Sequence, residues 1–194
     1  MIRDLIHMNR SYRRFYEEIP IDIETLYELI DCARLSPSMK NLQPLRYIII
    51  NSDKVKEKIF PLIKWAGYLK EWKGPDNGER PCSYILVLGD INIADSCIYD
   101  LGFACQSILL GAIEKGYGGC ILKGIKKETI KAILGISEQY EILTLIALGK
   151  PKETVILQDV ELNGDVRYWR DNDDNHYVPK RKLKDIIIDI FDKN

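Results

Sequence analysis

The stretch from Leu101 to Ile113 constrains this chain more than any other, because only Gln106 and Ser107 in it are strongly polar. With its flanks it reads as a helix from Asp95 to Lys115. A surface helix carries a polar stripe, and one without it has to be covered on nearly every side. The chain has 194 residues, the length of one domain or at most two small ones, and a single domain of that size rarely encloses a helix completely. A second subunit is the natural cover, and Gly102, Ala104, Gly111 and Ala112 would let another helix approach closely. The alternative is a central helix wrapped by its own chain.

Around this helix the two hydrophobic periods alternate. Ile2, Leu5 and Ile6 predict a short helix, ended by the polar run from Asn9 to Arg14. A second helix begins after Pro20, with Asp22 as its N-cap and Ile23, Leu26, Ile30 and Ala33 on one face. Ser36-Pro37-Ser38 stops it, since the residue before proline avoids helix. Arg46–Asn51 and Ser83–Gly89 read as strands buried on both faces. Gly118–Leu122 and Ile142–Leu148 read as two more strands, and Asp53–Lys64 and Lys126–Leu134 as helices. Gly67, Gly74, Pro75 and Gly78 make Trp65–Pro81 a loop or broken helix. The tail from Val160 is irregular until the apolar segment Leu183–Phe191.

Several chemistries are disfavoured. Lys plus Arg number 28 and Asp plus Glu 29, a net charge of −1, which argues against a chain built as a whole to bind nucleic acid or an anionic membrane. The five cysteines (Cys32, Cys82, Cys97, Cys105 and Cys120) are odd in number, and no two stand as C-x-x-C. They read as reduced, mostly buried thiols, not as a disulfide framework or a zinc site. His7 and His176 have no metal-ligand spacing and suggest no triad, so no metal is expected. Charge at Arg3 and Asp4 comes too early for a signal peptide, and no apolar run reaches the ~18 residues that span a bilayer. A soluble, cytoplasmic protein is expected. Gly116, Gly118 and Gly119 break the dinucleotide-binding spacing at Ile121 and lie between a helix and a strand, the wrong order. They read as a helix end followed by a turn.

Three segments carry more. Arg10-Ser11-Tyr12-Arg13-Arg14 puts three guanidinium groups and a hydroxyl within five residues, and guanidinium forks match phosphate oxygens bidentately. Lys180-Arg181-Lys182 repeats the charge near the other end. Each run alone reads first as a solvated basic face, and only second as a phosphate site. Between them lies Ser36-Pro37-Ser38-Met39-Lys40-Asn41-Leu42-Gln43-Pro44, stiffened by two prolines and rich in amide and hydroxyl groups. It suits the edge of a planar polar ring, or simply a capped connector.

In this order the segments resemble the nitroreductase family of FMN-dependent oxidoreductases. The Arg-Ser-x-Arg-x-Phe run stands at Arg10, Ser11, Arg13 and Phe15, and the Pro-Ser-x-x-Asn-x-Gln-Pro loop at Pro37, Ser38, Asn41, Gln43 and Pro44. The helix motif stands at Asp100, Gly102, Ala104, Gln106 and Gly116, the Ala-Leu-Gly-x-Pro strand end at Ala147, Leu148, Gly149 and Pro151, and the basic tail at Lys180 and Arg181. The resemblance spans about Asn9 to Lys184. It implies an α+β fold, a mixed and mostly antiparallel sheet flanked by helices, in one FMN-binding domain over residues 1–194. It also implies an intertwined homodimer that exchanges terminal segments around the long helix.

The same resemblance implies that FMN binds at the interface. Arg10, Ser11 and Arg13 would hold its phosphate and ribityl end, with Lys180 and Arg181 closing on the phosphate and Lys182 as a substitute. Pro37, Ser38, Met39, Asn41 and Gln43 would edge the ring from the other chain. Backbone near the flavin N5 would come from Leu122, Lys123 and Gly124, with Lys123 and Gly124 at the reacting atom. Trp65, Tyr68 and Trp72 would cover the flavin face and choose the acceptor, or else pack a loop. NAD(P)H would deliver hydride and a flat acceptor such as a nitroaromatic or quinone would take it, in a ping-pong cycle. Two departures stand out: Lys123 where the family often has an acidic residue, and Asn9 where many members have arginine. The competing readings are a protein that stores or senses FMN without efficient turnover, and a structural domain without flavin.

Overall fold

In the computed structural model, which describes residues 1–192, the two apolar runs expected to be buried on both faces behave differently. β3 (Ser83–Asp90) is buried along its whole length, between β2 (Leu45–Ile50) and β5 (Tyr140–Pro151) and antiparallel to both. β2 is the edge of the sheet, with a neighbour on one side only, so Leu45 to Ile49 are half-buried. β4 (Gly118–Leu122) pairs with β5 from Leu145 to Gly149, and β1 (Phe15–Tyr16) pairs with β5 at Lys150 and Pro151. Every ladder in this sheet is antiparallel.

Two helices pack on it. α2 (Ile23–Arg34) is capped as expected, the Asp22 carboxylate accepting the Thr25 N–H at 2.6 Å. It buries Leu26, Leu29 and Ala33, while Ile23 is exposed in the first turn. α4 (Ile98–Glu114) begins three residues later than expected and ends at Gly116, whose φ of +79° is the glycine helix end read from the sequence. Leu26, Leu29, Ala104, Ile108 and Ala112 of these helices meet Ile85, Val87, Ile146 and Leu148 of the sheet in one core. Burial of this kind supplies ~25 cal/mol per Å² of apolar surface. α1 (Ile2–Met8) and α5 (Lys127–Leu134) lie where expected. α3 runs only from Asp53 to Ile59, because Pro61 has no N–H to extend it and Phe60–Leu62 tightens into a 3₁₀ turn.

The long helix is not enclosed by its own chain. Ile98, Tyr99 and Phe103 are 70%, 63% and 47% exposed, and Gly102 and Gln106 lie open on the same side. Tyr99, Gly102, Phe103 and Gln106 stand three or four residues from one another, the spacing of one helix face, and Ile98 adjoins them.

The chain falls into two compact units. All of the above belongs to the first, Met1–Trp65 with Lys73–Lys152. The second comprises Ala66–Trp72 and the chain from Glu153 onward. Here the tail expected to be irregular is ordered instead. β6 (Val155–Val160) pairs in parallel with β8 (His176–Arg181), and β7 (Trp169–Arg170) lies antiparallel to β8. α6 spans only Leu183–Ile186, and the apolar residues that follow, Ile188 and Phe191 among them, are exposed.

Candidate functional site

The N-terminal arm leaves α1 at Asn9, whose side-chain amide donates to Gln106 Oε1 of α4 at 3.4 Å. It then lies along β4: Ser11 bridges to Gly119, and the Tyr12 N–H donates to the Gly119 carbonyl at 3.0 Å. Two glycines make this possible. A Cβ on Gly118 would stand 2.6 Å from the Tyr12 ring, and one on Gly119 would stand 2.4 Å from the Ala147 carbonyl oxygen. The strand expected from Gly118 is present, and its first two glycines form a seat that the sequence pattern does not announce. The available signal was glycine inside a strand, which marks a close backbone approach.

The arm sorts its arginines. Arg14 is committed to Glu79, with Nε at 2.5 Å and Nη2 at 2.8 Å from its two oxygens, and Lys152 joins at 3.2 Å. The Arg14 hydrogen bonds hold the Glu79 carboxyl below the usual range, against the opposing effect of burial. Arg13 is 9% exposed and donates from Nη1 to the Ser11 carbonyl at 3.1 Å. Arg10 donates from Nη2 to the Ile6 carbonyl at 2.5 Å, but its buried Nε has no acceptor among the described residues. Burial lowers the Arg10 pKa, so an anion beside it would relieve an electrostatic strain. Ser11 is exposed. The residues expected at a phosphate, Arg10, Ser11 and Arg13, are thus brought together, and Arg14 is diverted to structure.

The loop after α2 is strained. Lys40, Asn41 and Gln43 have φ of 52°, 57° and 53°, a region that non-glycine residues enter at a cost of order 1–3 kcal/mol each. Ser38 holds the loop in place: its hydroxyl donates to Asp100 Oδ1 of α4 at 2.5 Å and accepts the Gln43 N–H at 2.8 Å. The Ser36 and Ser107 hydroxyls meet at 2.6 Å one step back. Pro37, Met39, Asn41 and Gln43 are exposed, and a cleft of about 160 Å³ runs beside Pro37, Ser38, Gln43, Arg46 and Tyr47. Burial pushes the Tyr47 hydroxyl up to about 12. The loop grips α4 at Asp100 and Ser107, and the arm touches it at Gln106. Asp100 and Gln106, six residues apart, are separated by about 9 Å along the axis.

At the exit of β4, Leu122 is buried and its carbonyl accepts from Thr144 Oγ1 at 3.0 Å. Lys123 and Gly124 are exposed. The Gly124 carbonyl accepts the Lys64 N–H at 2.6 Å, while its own N–H donates to no protein group among the described residues. Four residues separate Gly119 from Lys123, about 13 Å of extended strand. One edge of β4 therefore begins at a cationic arm and ends at an uncommitted amide, far enough apart for a long anionic ligand.

The remaining expected residues divide between the units. Trp65, expected to cover a ring, is 7% exposed in the first unit, packed against Phe60 with ring centres 5.8 Å apart and filling the space beside Gly74. That is the packing alternative. Tyr68 and Trp72 belong to the second unit. Tyr68 lies against Tyr168 at 4.9 Å and is 55% exposed, and Trp72 lies under the Arg170 guanidinium at 4.3 Å. Lys180 and Arg181 end β8 and are exposed, while Lys182 is paired with Glu161 and so is a weaker substitute for either.

Side-chain redox chemistry has little to work with. Burial pushes the Cys82 and Cys97 thiols up and the Cys105 thiol to about 12, which suppresses the reactive thiolate. Four of the five thiols are buried and Cys32 is exposed, in line with the mostly buried thiols expected. Among the described residues no group of three His, Cys, Asp or Glu side chains could hold a metal ion, and no helix is long and apolar enough to cross a membrane.

Comparison with known proteins matches the chain to the model of the Nitroreductase family over residues 6–75 and 82–150. YodC of Bacillus subtilis, provisionally named an NAD(P)H nitroreductase, is 28% identical over 177 residues, covering 76% of this chain and 88% of its own. Among solved structures, a nitroreductase family protein from Clostridium novyi NT is 27% identical and superposes with a TM-score of 0.63, covering 78% of this chain and 86% of its own. An FMN-dependent nitroreductase from Clostridium difficile R20291 has a TM-score of 0.63 at 24% identity, covering 79% and 88%.

Proposed function

Because the chain belongs to the nitroreductase family, we propose that it is an FMN-dependent oxidoreductase, taking hydride from NAD(P)H and passing it to a flat acceptor such as a nitroaromatic or quinone. The observation that carries this reading is the arm on Gly118 and Gly119, with the buried Arg10 Nε lacking an acceptor beside the nearly buried Arg13. That donor set suits a phosphate monoester, to which guanidinium groups bind in forked, charge-assisted pairs.

Bound FMN would supply the hydride-accepting and hydride-donating chemistry. The chain's own part is positional. Arg10, Ser11 and Arg13 bind the phosphate and ribityl end, with Lys180 and Arg181 as further cations for it. Leu122 anchors the strand exit through its carbonyl, and Lys123 and Gly124 present backbone beside the reacting edge. The Gly124 N–H, spent on no acceptor among the described residues, can donate there. A donor fixed in advance favours charge that develops on the ring without reorganising during the reaction. Pro37, Ser38, Met39, Asn41 and Gln43 edge the ring from a second copy, and their loop is held rigid through Ser38 and Asp100.

The assembly in this reading is a homodimer, the exposed stripe of Ile98, Tyr99 and Phe103 meeting its counterpart and the apolar tail from Leu183 crossing to the partner. The chain acts as one FMN-binding domain in the cytoplasm. The decisive measurement is the visible spectrum of purified protein before and after anaerobic NADH or NADPH, and again with a nitroaromatic or quinone. Flavin bands that bleach and then return are expected. A loaded protein that neither nucleotide bleaches would favour storage of FMN, and a colourless protein that takes up none would refute the reading.

A further inference from the structure

The exit of β4 is unusually cationic. Lys123-Gly124-Ile125-Lys126-Lys127 places three ammonium groups in five residues. A second segment brings in a fourth: the Lys64 N–H donates to the Gly124 carbonyl at 2.6 Å, the Lys126 N–H to the Leu62 carbonyl at 3.0 Å, and Ile63 bridges Ile125 between them. Lys64 starts beside Gly124, its Cβ 3.2 Å from where a Cβ on that glycine would stand. Lys127 has a carboxylate, Glu141, at 3.6 Å. Lys64, Lys123 and Lys126 are exposed, and none of them is in a salt bridge with a carboxylate of the described residues.

Like charges held together in a short ladder repel one another. From this we infer that a redox partner stacking beside Gly124 carries an anionic group beyond the pyrophosphate common to both nucleotides, a sulfonate, carboxylate or phosphate, which this lysine ladder attracts. The inference rests on the oxidoreductase reading and adds the charge class of the co-substrate. The group can lie on the acceptor or be the extra phosphate that distinguishes NADPH from NADH. Cations lining an approach raise association rates by a factor of ten or more, an effect that salt removes.

The test uses FMN-loaded protein and the double variant Lys64→Glu with Lys126→Glu, leaving Lys123 in place. One arm compares kcat/KM for a sulfonated anthraquinone and a neutral quinone of similar potential. The other compares flavin bleaching rates with NADPH and NADH in stopped flow. In the unaltered protein the anionic member of one pair is expected to lose about tenfold in rate from low to high salt, and in the variant to lose as much at low salt. The neutral quinone should hold, and NADH should lose clearly less than NADPH. The arm that responds says which partner bears the anion. Normal bleaching with both ratios unchanged overturns the inference and spares the oxidoreductase reading. Flavin that neither nucleotide bleaches overturns both.

Discussion

Ser38→Ala should weaken this fold far more than the loss of one half-buried hydroxyl suggests. The hydroxyl donates to Asp100, which is 5% exposed, and accepts the Gln43 N–H. A hydrogen bond to a charged group contributes roughly 1.5–3 kcal/mol, and a neutral one about 1 kcal/mol. The substitution leaves a buried carboxylate short of a donor and frees a loop that carries three non-glycine residues at positive φ. Relaxation of that strain offsets part of the loss, so the net destabilisation is about 2–4 kcal/mol. With a urea m-value near ~2 kcal/mol/M the midpoint should fall by about 1–2 M at unchanged m. Protein concentration has to be fixed, because self-association adds to apparent stability. Removing the carboxylate charge as well should show coupling: Asp100→Asn combined with Ser38→Ala should cost clearly less than the two singles added. A midpoint shift below ~0.3 M, or strict additivity in the cycle, would refute the assignment of Ser38 as the tie between loop and helix.

Replacing Arg10 and Arg13 together by Ala should weaken FMN binding by at least ~100-fold, read from quenching of flavin fluorescence, since each removes charge-assisted bonds to one phosphate. Unchanged affinity would remove the phosphate assignment. Phe103→Asp puts a charge in the exposed stripe of α4 and should give a monomer at micromolar concentration by light scattering. Glu79 is held below its ordinary pKa by Arg14, so its contribution is present above the unfolded value of about 4.3 and is lost as pH falls through the folded one. Glu79→Gln should therefore flatten the acid side of the stability profile, and an unaltered acid limb would contradict this. Gly119→Ala forces a Cβ to 2.4 Å from the Ala147 carbonyl oxygen, and a loss of about 1–3 kcal/mol or failure to fold is expected in thermal melts.

What could be read along the chain was what local pattern determines. β3, β4 and most of β5 are apolar runs between turn residues, and α2 has its cap and its period. The length of α4 and its lack of a polar stripe were equally visible. The parallel pair of β6 and β8 was not, because it joins segments with fifteen residues between them and neither strand alternates cleanly. In the site, residue types pointed to the arm and the loop. They could not say that Arg14 would be taken by Glu79 from a loop sixty-five positions away. Nor could they show that Gly118 and Gly119 would be emptied of side chains so that the arm could lie on them. Trp65 could be read as a lid or as loop packing, because aromatic content says nothing about which side of a loop faces the core.

The site's economy follows from what burial has done to its side chains. Tyr47 beside the loop and Cys105 behind it are pushed to about 12, and Cys82 and Cys97 upward as well, so none of these supplies a proton or a thiolate near neutral pH. What remains usable is fixed charge and backbone: the guanidinium groups of the arm and a glycine N–H at the strand exit. Groups of that kind bind and orient. The flavin-delegated reading therefore makes a demand that a side-chain acid or base mechanism does not. The rate of flavin reduction by a saturating nucleotide should stay level across roughly pH 6 to 9. A bell-shaped profile with limbs inside that window would show that a titrating side chain takes part in the transfer, and would return the search for a catalytic residue to the protein.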